Sequence, residues 1–106
     1  MAHPYDRDCP LARTATILEG RWTLLVLREL IRKGPRRFQD FQEALEGVPP
    51  TTLSDRLKTL EVAGVIRKEI YEMNPPRAKY VLTEQGEELR PIMRRLRRWG
   101  ERNTER

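Results

Sequence analysis

The chain has 106 residues, 38% apolar and 35% charged, and its 21 Lys+Arg against 16 Asp+Glu give a net charge of +5 and a pI near 9.9. That length suits a single domain over residues 1–106, with both charge signs interspersed as in a soluble protein carrying a local basic footprint. A membrane-spanning protein is excluded, since no run reaches about 18 apolar residues, and so is a disulfide scaffold, since Cys9 is the only cysteine.

Residues 1–9 are expected to form a flexible arm. They lack the apolar core of a secretory signal, which together with the lone cysteine points to the cytoplasm. A first short apolar helix is expected over 10–18, ended by Gly20. Trp22–Lys33 is the clearest helix: Trp22, Leu25, Val26, Leu30 and Ile31 recur at three- and four-residue steps while Arg28, Arg32 and Lys33 take other faces. Gly34-Pro35 stops it.

Arg36-Arg37-Phe38 reads as a short strand leading into a third helix that ends near Leu45. There Phe38, Phe41 and Leu45 share one side. After the Gly47-Val48-Pro49-Pro50 turn, a fourth helix runs from Thr51 to Ala63. Its Leu53, Leu57 and Leu60 fall within about 60° of one another and face the core. Thr51, Thr52, Ser54, Asp55, Lys58 and Thr59 spread over the opposite arc.

Val65–Tyr71 and Lys79–Leu82 read as two strands of a hairpin joined by Asn74-Pro75-Pro76-Arg77. Thr83 is placed to cap a last helix over 84–102, with a kink at Pro91, which removes a backbone donor. Leu89, Ile92, Met93, Leu96 and Trp99 make an apolar stripe along it, flanked by arginines.

Helix, turn, helix and two-stranded ribbon in that order form the layout of a winged helix-turn-helix: mainly α with a small β-hairpin wing at 65–82 and the helix pair at 38–63. The layout puts one polar helix face in a DNA major groove with a basic loop beside it, so the first hypothesis is sequence-specific binding of double-stranded DNA. Thr51, Thr52, Ser54, Asp55 and Lys58 are the candidate reading residues. Arg56 points sideways, which leaves a phosphate clamp and an internal salt bridge both open.

Arg77 at the wing tip and Lys79 are candidates for minor-groove or phosphate contact. Arg36 and Arg37 are second-rank phosphate candidates. The plain alternative for the helix face is an ordinary solvated surface.

A chain this size buries about 60–68% of its unfolded surface, so a leftover stripe as broad as Leu89-Ile92-Met93-Leu96-Trp99 points to a partner chain. With Leu11 and Leu18 of the first helix it marks a homodimer interface on the terminal helices. A two-fold dimer sets its recognition helices about 34–36 Å apart and hence reads a palindrome. Cys9 precedes Pro10 at a helix start, with Arg7 and Arg13 near it in the sequence. It is a redox-sensing candidate, with a small buried hydrophobe as the alternative.

Several segments resemble the HxlR-type winged helix-turn-helix regulators of bacteria, a branch close to the MarR-like regulators. They are Cys9-Pro10-Leu11, Gly20-Arg21-Trp22-Thr23-Leu24-Leu25-Val26-Leu27, Arg37-Phe38, Leu53 to Glu61, Ala63-Gly64-Val65-Ile66, Pro75 to Thr83, and Trp99-Gly100. The resemblance covers roughly residues 9–100. It implies homodimers held by the terminal helices, inverted-repeat operators and, in part of the family, a redox-sensing cysteine near the N-terminus. Pro49 departs from it, standing where the family often has serine; without that side-chain cap, Thr51 becomes a candidate cap.

Catalysis is not expected. His3, Asp6, Asp8 and Cys9 crowd together but lack metal-ligand spacing, and no second base accompanies the only histidine. No metal or cofactor is expected. The remaining alternatives are a winged helix used for protein contacts and a nonspecific architectural DNA binder. Repression by operator occlusion is favoured over activation, because no separate activation domain is recognisable.

Overall fold

Proline and glycine set most of the element boundaries in residues 8–106, the part of the chain that the computed structural model describes. The elements are α1 (Pro10–Ile17), α2 (Arg21–Lys33), α3 (Phe38–Ala44), α4 (Pro50–Val62), β1 (Ile66–Met73), β2 (Pro76–Leu82), α5 (Glu84–Glu87) and α6 (Leu89–Asn103). The expected arm lies outside the described residues over 1–7.

Pro10 occupies the first turn of α1, where a missing N–H costs nothing. The helix closes at Leu18, whose N–H donates to the Thr14 carbonyl at 3.0 Å. Gly20 therefore does not end α1; with φ of 80° it stands as the N-cap of α2. The buried positions of α2 are Thr23, Val26, Leu27, Glu29 and Leu30, whereas Trp22, Leu25 and Ile31 are only partly covered. The core-facing arc is thus rotated from the expected one, because two polar residues lie inside it. Thr23 returns its hydroxyl to the Glu19 carbonyl at 2.8 Å.

In α3 the Arg37 N–H donates to the Asp40 carboxylate at 2.9 Å, satisfying one open helix-start donor. The expected strand at 36–38 shrinks to a single bridge. Arg36 and Tyr80 exchange backbone hydrogen bonds of 3.0 and 2.7 Å, which ties the wing to the α2–α3 corner.

Pro49 is the N-cap of α4 and Pro50 its first residue. Thr51 consequently lies inside the first turn rather than capping it: the fixed φ of Pro50 already suits a helix start. Leu53, Leu57 and Leu60 are 0–1% exposed, in the core, where their spacing places them. Val26, Leu27, Leu30, Phe41, Leu45, Val48, Val65 and Ile66 complete that core.

The hairpin is longer than its apolar stretches suggest. Its pairing runs from Ile66↔Leu82 to Met73↔Pro76, with an irregularity between Ile70 and Glu72 that leaves Tyr71 unpaired. Pro76 is the first residue of β2, a strand position that tolerates a missing N–H. The turn is therefore only Asn74-Pro75.

Thr83 caps α5, its hydroxyl accepting from the Gly86 N–H at 3.1 Å. The expected kink at Pro91 is instead a break at Glu88, which puts Pro91 in the opening turn of α6, where no backbone bond is lost. Neither α1 nor α6 has a buried residue. Leu89 and Met93 lean on the subunit's own core, while Leu11 (77%), Ile92 (49%), Leu96 (48%) and Trp99 (59%) stay exposed. No helix among the described residues is long and apolar enough to cross a membrane. The architecture is a mainly helical winged helix-turn-helix.

Candidate nucleic-acid interface

Burying Leu53, Leu57 and Leu60 turns the other side of α4 outward. Thr51, Ser54, Asp55 and Lys58 are exposed, and Thr52 is half-buried beside them. At 100° per residue, Thr51, Asp55 and Lys58 form one stripe with Ser54 at its border. Val62 is 76% exposed and extends the same stripe, a position that sequence reasoning missed because an apolar residue there counts toward a core. Short hydroxyls, an acceptor, a cation and a methyl-bearing tip together match the donors, acceptors and thymine methyls of a major-groove edge. Thr59 is less available, since its hydroxyl donates to the Asp55 carbonyl at 3.0 Å.

Arg56 is placed differently. Its Nη1 lies 3.4 Å from both the carbonyl oxygen and Oε1 of Glu19, and its side chain is 24% exposed. Of the two roles open to it, the geometry realises the internal salt bridge, which ties α4 to the α1–α2 corner.

On the wing, Arg77 lies one residue inside β2 rather than at the tip. Its Nε is 3.0 Å from Glu72 Oε2, across the hairpin. Lys79 sits 5.9 Å from the Tyr71 ring centroid and Lys68 5.6 Å from that of Tyr80, both within cation–π range. These contacts lay the lysine stems along the hairpin.

Arg36 and Arg37 are also committed to carboxylates. Glu29 is 5% exposed, with Arg28 at 3.2 Å and Arg36 at 3.9 Å, so Arg36 helps to compensate a buried charge. Arg37 reaches Asp40 through Nε at 3.3 Å and Nη2 at 3.2 Å. These bonds hold the Asp40 carboxyl below its ordinary range, helped by the Arg37 backbone N–H. The same pairing, and then Tyr71, raises the Arg37 guanidinium.

Cys9 is the N-cap residue of α1 and half-buried; its carbonyl accepts the Arg13 backbone N–H at 3.0 Å. Arg7, His3 and Asp6 lie outside the described residues. Among the described residues no cluster of three metal-ligating side chains occurs. Away from the α4 stripe, a groove of about 570 Å³ lies between α2 and α6. Leu24, Leu25, Ile31, Met93 and Leu96 line it, rimmed by Arg28, Arg32, Arg90, Arg94 and Arg97. Arg90 is held by Glu87 and donates to the Ile31 carbonyl at 3.2 Å, which fixes the start of α6 against α2.

Comparison with known proteins agrees with this geometry. The chain is similar to the HTH-type transcriptional regulator sll1512 of Synechocystis sp., with 39% identity over 92 residues, 87% of this chain and 67% of that protein. It is 36% identical over 98 residues to the HTH-type transcriptional regulator YdeP of Bacillus subtilis, covering 92% of this chain and 76% of that one. Among solved structures, the redox regulator HypR in its oxidised form superposes with a TM-score of 0.83 at 32% identity, over 92% of this chain and 100% of that chain. The reduced transcriptional regulator YodB of B. subtilis gives a TM-score of 0.77 at 28% identity, over 92% of this chain and 95% of that chain. The family model described as HxlR-like helix-turn-helix matches residues 17–106. The chain belongs to the HxlR-like helix-turn-helix family and is a winged-helix transcriptional regulator.

Proposed function

We propose that the protein is a homodimeric repressor that occupies an inverted-repeat operator and responds to oxidants through Cys9. The observation that carries the DNA reading is the outward stripe of Thr51, Ser54, Asp55 and Lys58 on α4, flanked by the cationic wing. Phosphate contacts give most of the affinity, and this stripe with Thr52 supplies the specificity. Asp55 sits favourably only against a base donor such as a cytosine amino group, since a phosphate repels it.

Two features support a dimer on the terminal helices. Leu11, Ile92, Leu96 and Trp99 remain about half or more exposed, only partly covered within the subunit. The radius of gyration is 14.9 Å, against about 13 Å for a compact domain of 100 residues, as expected when helices project to meet a second copy. Repression follows from steric occlusion of promoter DNA.

The redox reading rests on the similarity to a redox regulator and on the half-buried position of Cys9. A hydroperoxide would convert the thiol to a sulfenic acid, being reduced to an alcohol or water. Attack by the partner subunit's Cys9 would then form an intersubunit disulfide with loss of water.

Fluorescence anisotropy of the reduced protein with the DNA flanking its own gene, beside a shuffled duplex, tests the reading. A preference of about a thousandfold with a steep salt slope is expected, with hydroperoxide altering it in the wild type but not in Cys9→Ser. Equal affinity for both duplexes contradicts operator reading. Equal oxidant effects on both proteins contradict the role of Cys9.

A further inference from the structure

The α1–α2 corner carries a cation that neither α4 nor the wing accounts for. Arg21, the first residue of α2, is exposed, and its guanidinium lies 4.3 Å from the centroid of the Trp22 ring. It belongs to none of the ion pairs among the described residues, whereas Arg56, Arg77, Arg36 and Arg37 each have a carboxylate. Trp22 leans on the core and, with Glu19, Gly20, Thr52 and Arg56, lines a concavity between the start of α2 and the first half of α4. The Arg56–Glu19 pair spans that gap. Arg21 is therefore mounted on the corner that is anchored to the flank of the recognition helix.

A helix with its side chains is about 10–12 Å across, and the major groove about 12 Å wide. A helix seated there has phosphates against its flanks, not bases. We propose that Arg21 is a DNA-backbone clamp, its guanidinium donating to a phosphate that borders the first half of α4. A guanidinium presents a bidentate fork to phosphate oxygens. Stacking on Trp22 holds that fork in one plane and reduces the rotamer freedom lost on binding. The clamp rests on the reading of α4 as the helix that enters the groove.

The test titrates wild type, Arg21→Ala and Arg21→Lys with the cognate and shuffled duplexes over a salt series. Matched circular dichroism and thermal midpoints establish equal folding. Arg21→Ala is expected to weaken both duplexes by a common factor of about tenfold. The slope of log K against log salt should become shallower by about 0.9 for each protomer engaged. Arg21→Lys, which keeps the charge but not the fork, should restore the slope with only part of the affinity. Unchanged affinity and slope in Arg21→Ala, with the wild-type preference intact, overturns the clamp and leaves the α4 reading standing. A changed sequence preference overturns it too, since that marks base contact. Absence of any preference in the wild type overturns the α4 reading and the clamp with it.

Discussion

Arg77 Nε lies 3.0 Å from Glu72 Oε2, so the arginine nearest the wing tip carries its own carboxylate. Both side chains are more than half exposed, and such a screened pair contributes less than about 1 kcal/mol. An approaching phosphate competes with Glu72 for the guanidinium and is repelled by it. Glu72→Gln should therefore tighten DNA binding severalfold. Arg77→Ala should weaken binding and flatten its salt slope by about one unit per contact. Anisotropy titrations over a salt series check both, and identical curves for all three proteins would exclude Arg77 as a phosphate contact.

Gly86 is a second position where one atom decides the outcome. A Cβ there would stand 2.1 Å from the Val65 carbonyl oxygen. Thr83 pins the same carbonyl through its N–H at 3.1 Å and also donates its hydroxyl to the Gly64 carbonyl at 2.5 Å. Gly86→Ala must push α5 off the β1 start, at an expected cost of about 1–3 kcal/mol. Urea unfolding measures this directly, and an unshifted midpoint would contradict the close approach.

Acid sensitivity follows from Asp40. Its carboxyl is held low by the Arg37 side-chain bonds and the Arg37 N–H, and a carboxylate lowered in the folded state stabilises it above the unfolded value of about 4. That contribution is lost as pH falls through the still lower folded value. Asp40→Ala should cost about 1 kcal/mol at pH 7, as a lost helix cap does, and the gap to wild type should close toward pH 2. Denaturant titrations at the two pH values report it. A gap independent of pH would mean that the charge of Asp40 contributes nothing.

The dimer prediction turns on Ile92 and Leu96. Both are about half exposed on α6, so Ile92→Glu with Leu96→Glu should leave the folded subunit intact while abolishing association. Sedimentation at micromolar concentration should give a dimer for the wild type and a monomer for the double variant. A monomeric wild type would contradict a dimer held by α6.

Much of this fold is legible in the sequence because its signals are local. The spacing of Leu53, Leu57 and Leu60 sets both the buried and the outward side of α4, and β-branched residues bounded by Gly64 and Pro75 announce the hairpin. What stayed hidden depends on which partner each polar group finds in the folded chain, which residue spacing alone does not report. Arg56 meets Glu19 across 37 positions, so nothing local decides between a clamp and a salt bridge. Thr23 and Glu29 enter the core because a carbonyl and two guanidiniums satisfy them, and their polarity shifts the apparent face of α2. Arg77 reads as a tip residue until the pairing of Pro76 with Met73 draws it into the strand.

Selection of bound sequences from a random duplex pool, with the wild type beside an Asp55→Ala/Lys58→Ala double variant, reads whether the outward stripe of α4 chooses the bases. The wild type should enrich an inverted repeat with half-sites about 10 base pairs apart, centre to centre. The variant should enrich the same spacing with altered bases in each half-site. No enrichment by the wild type, or the same sequence from both proteins, would contradict operator reading by the outward stripe of α4.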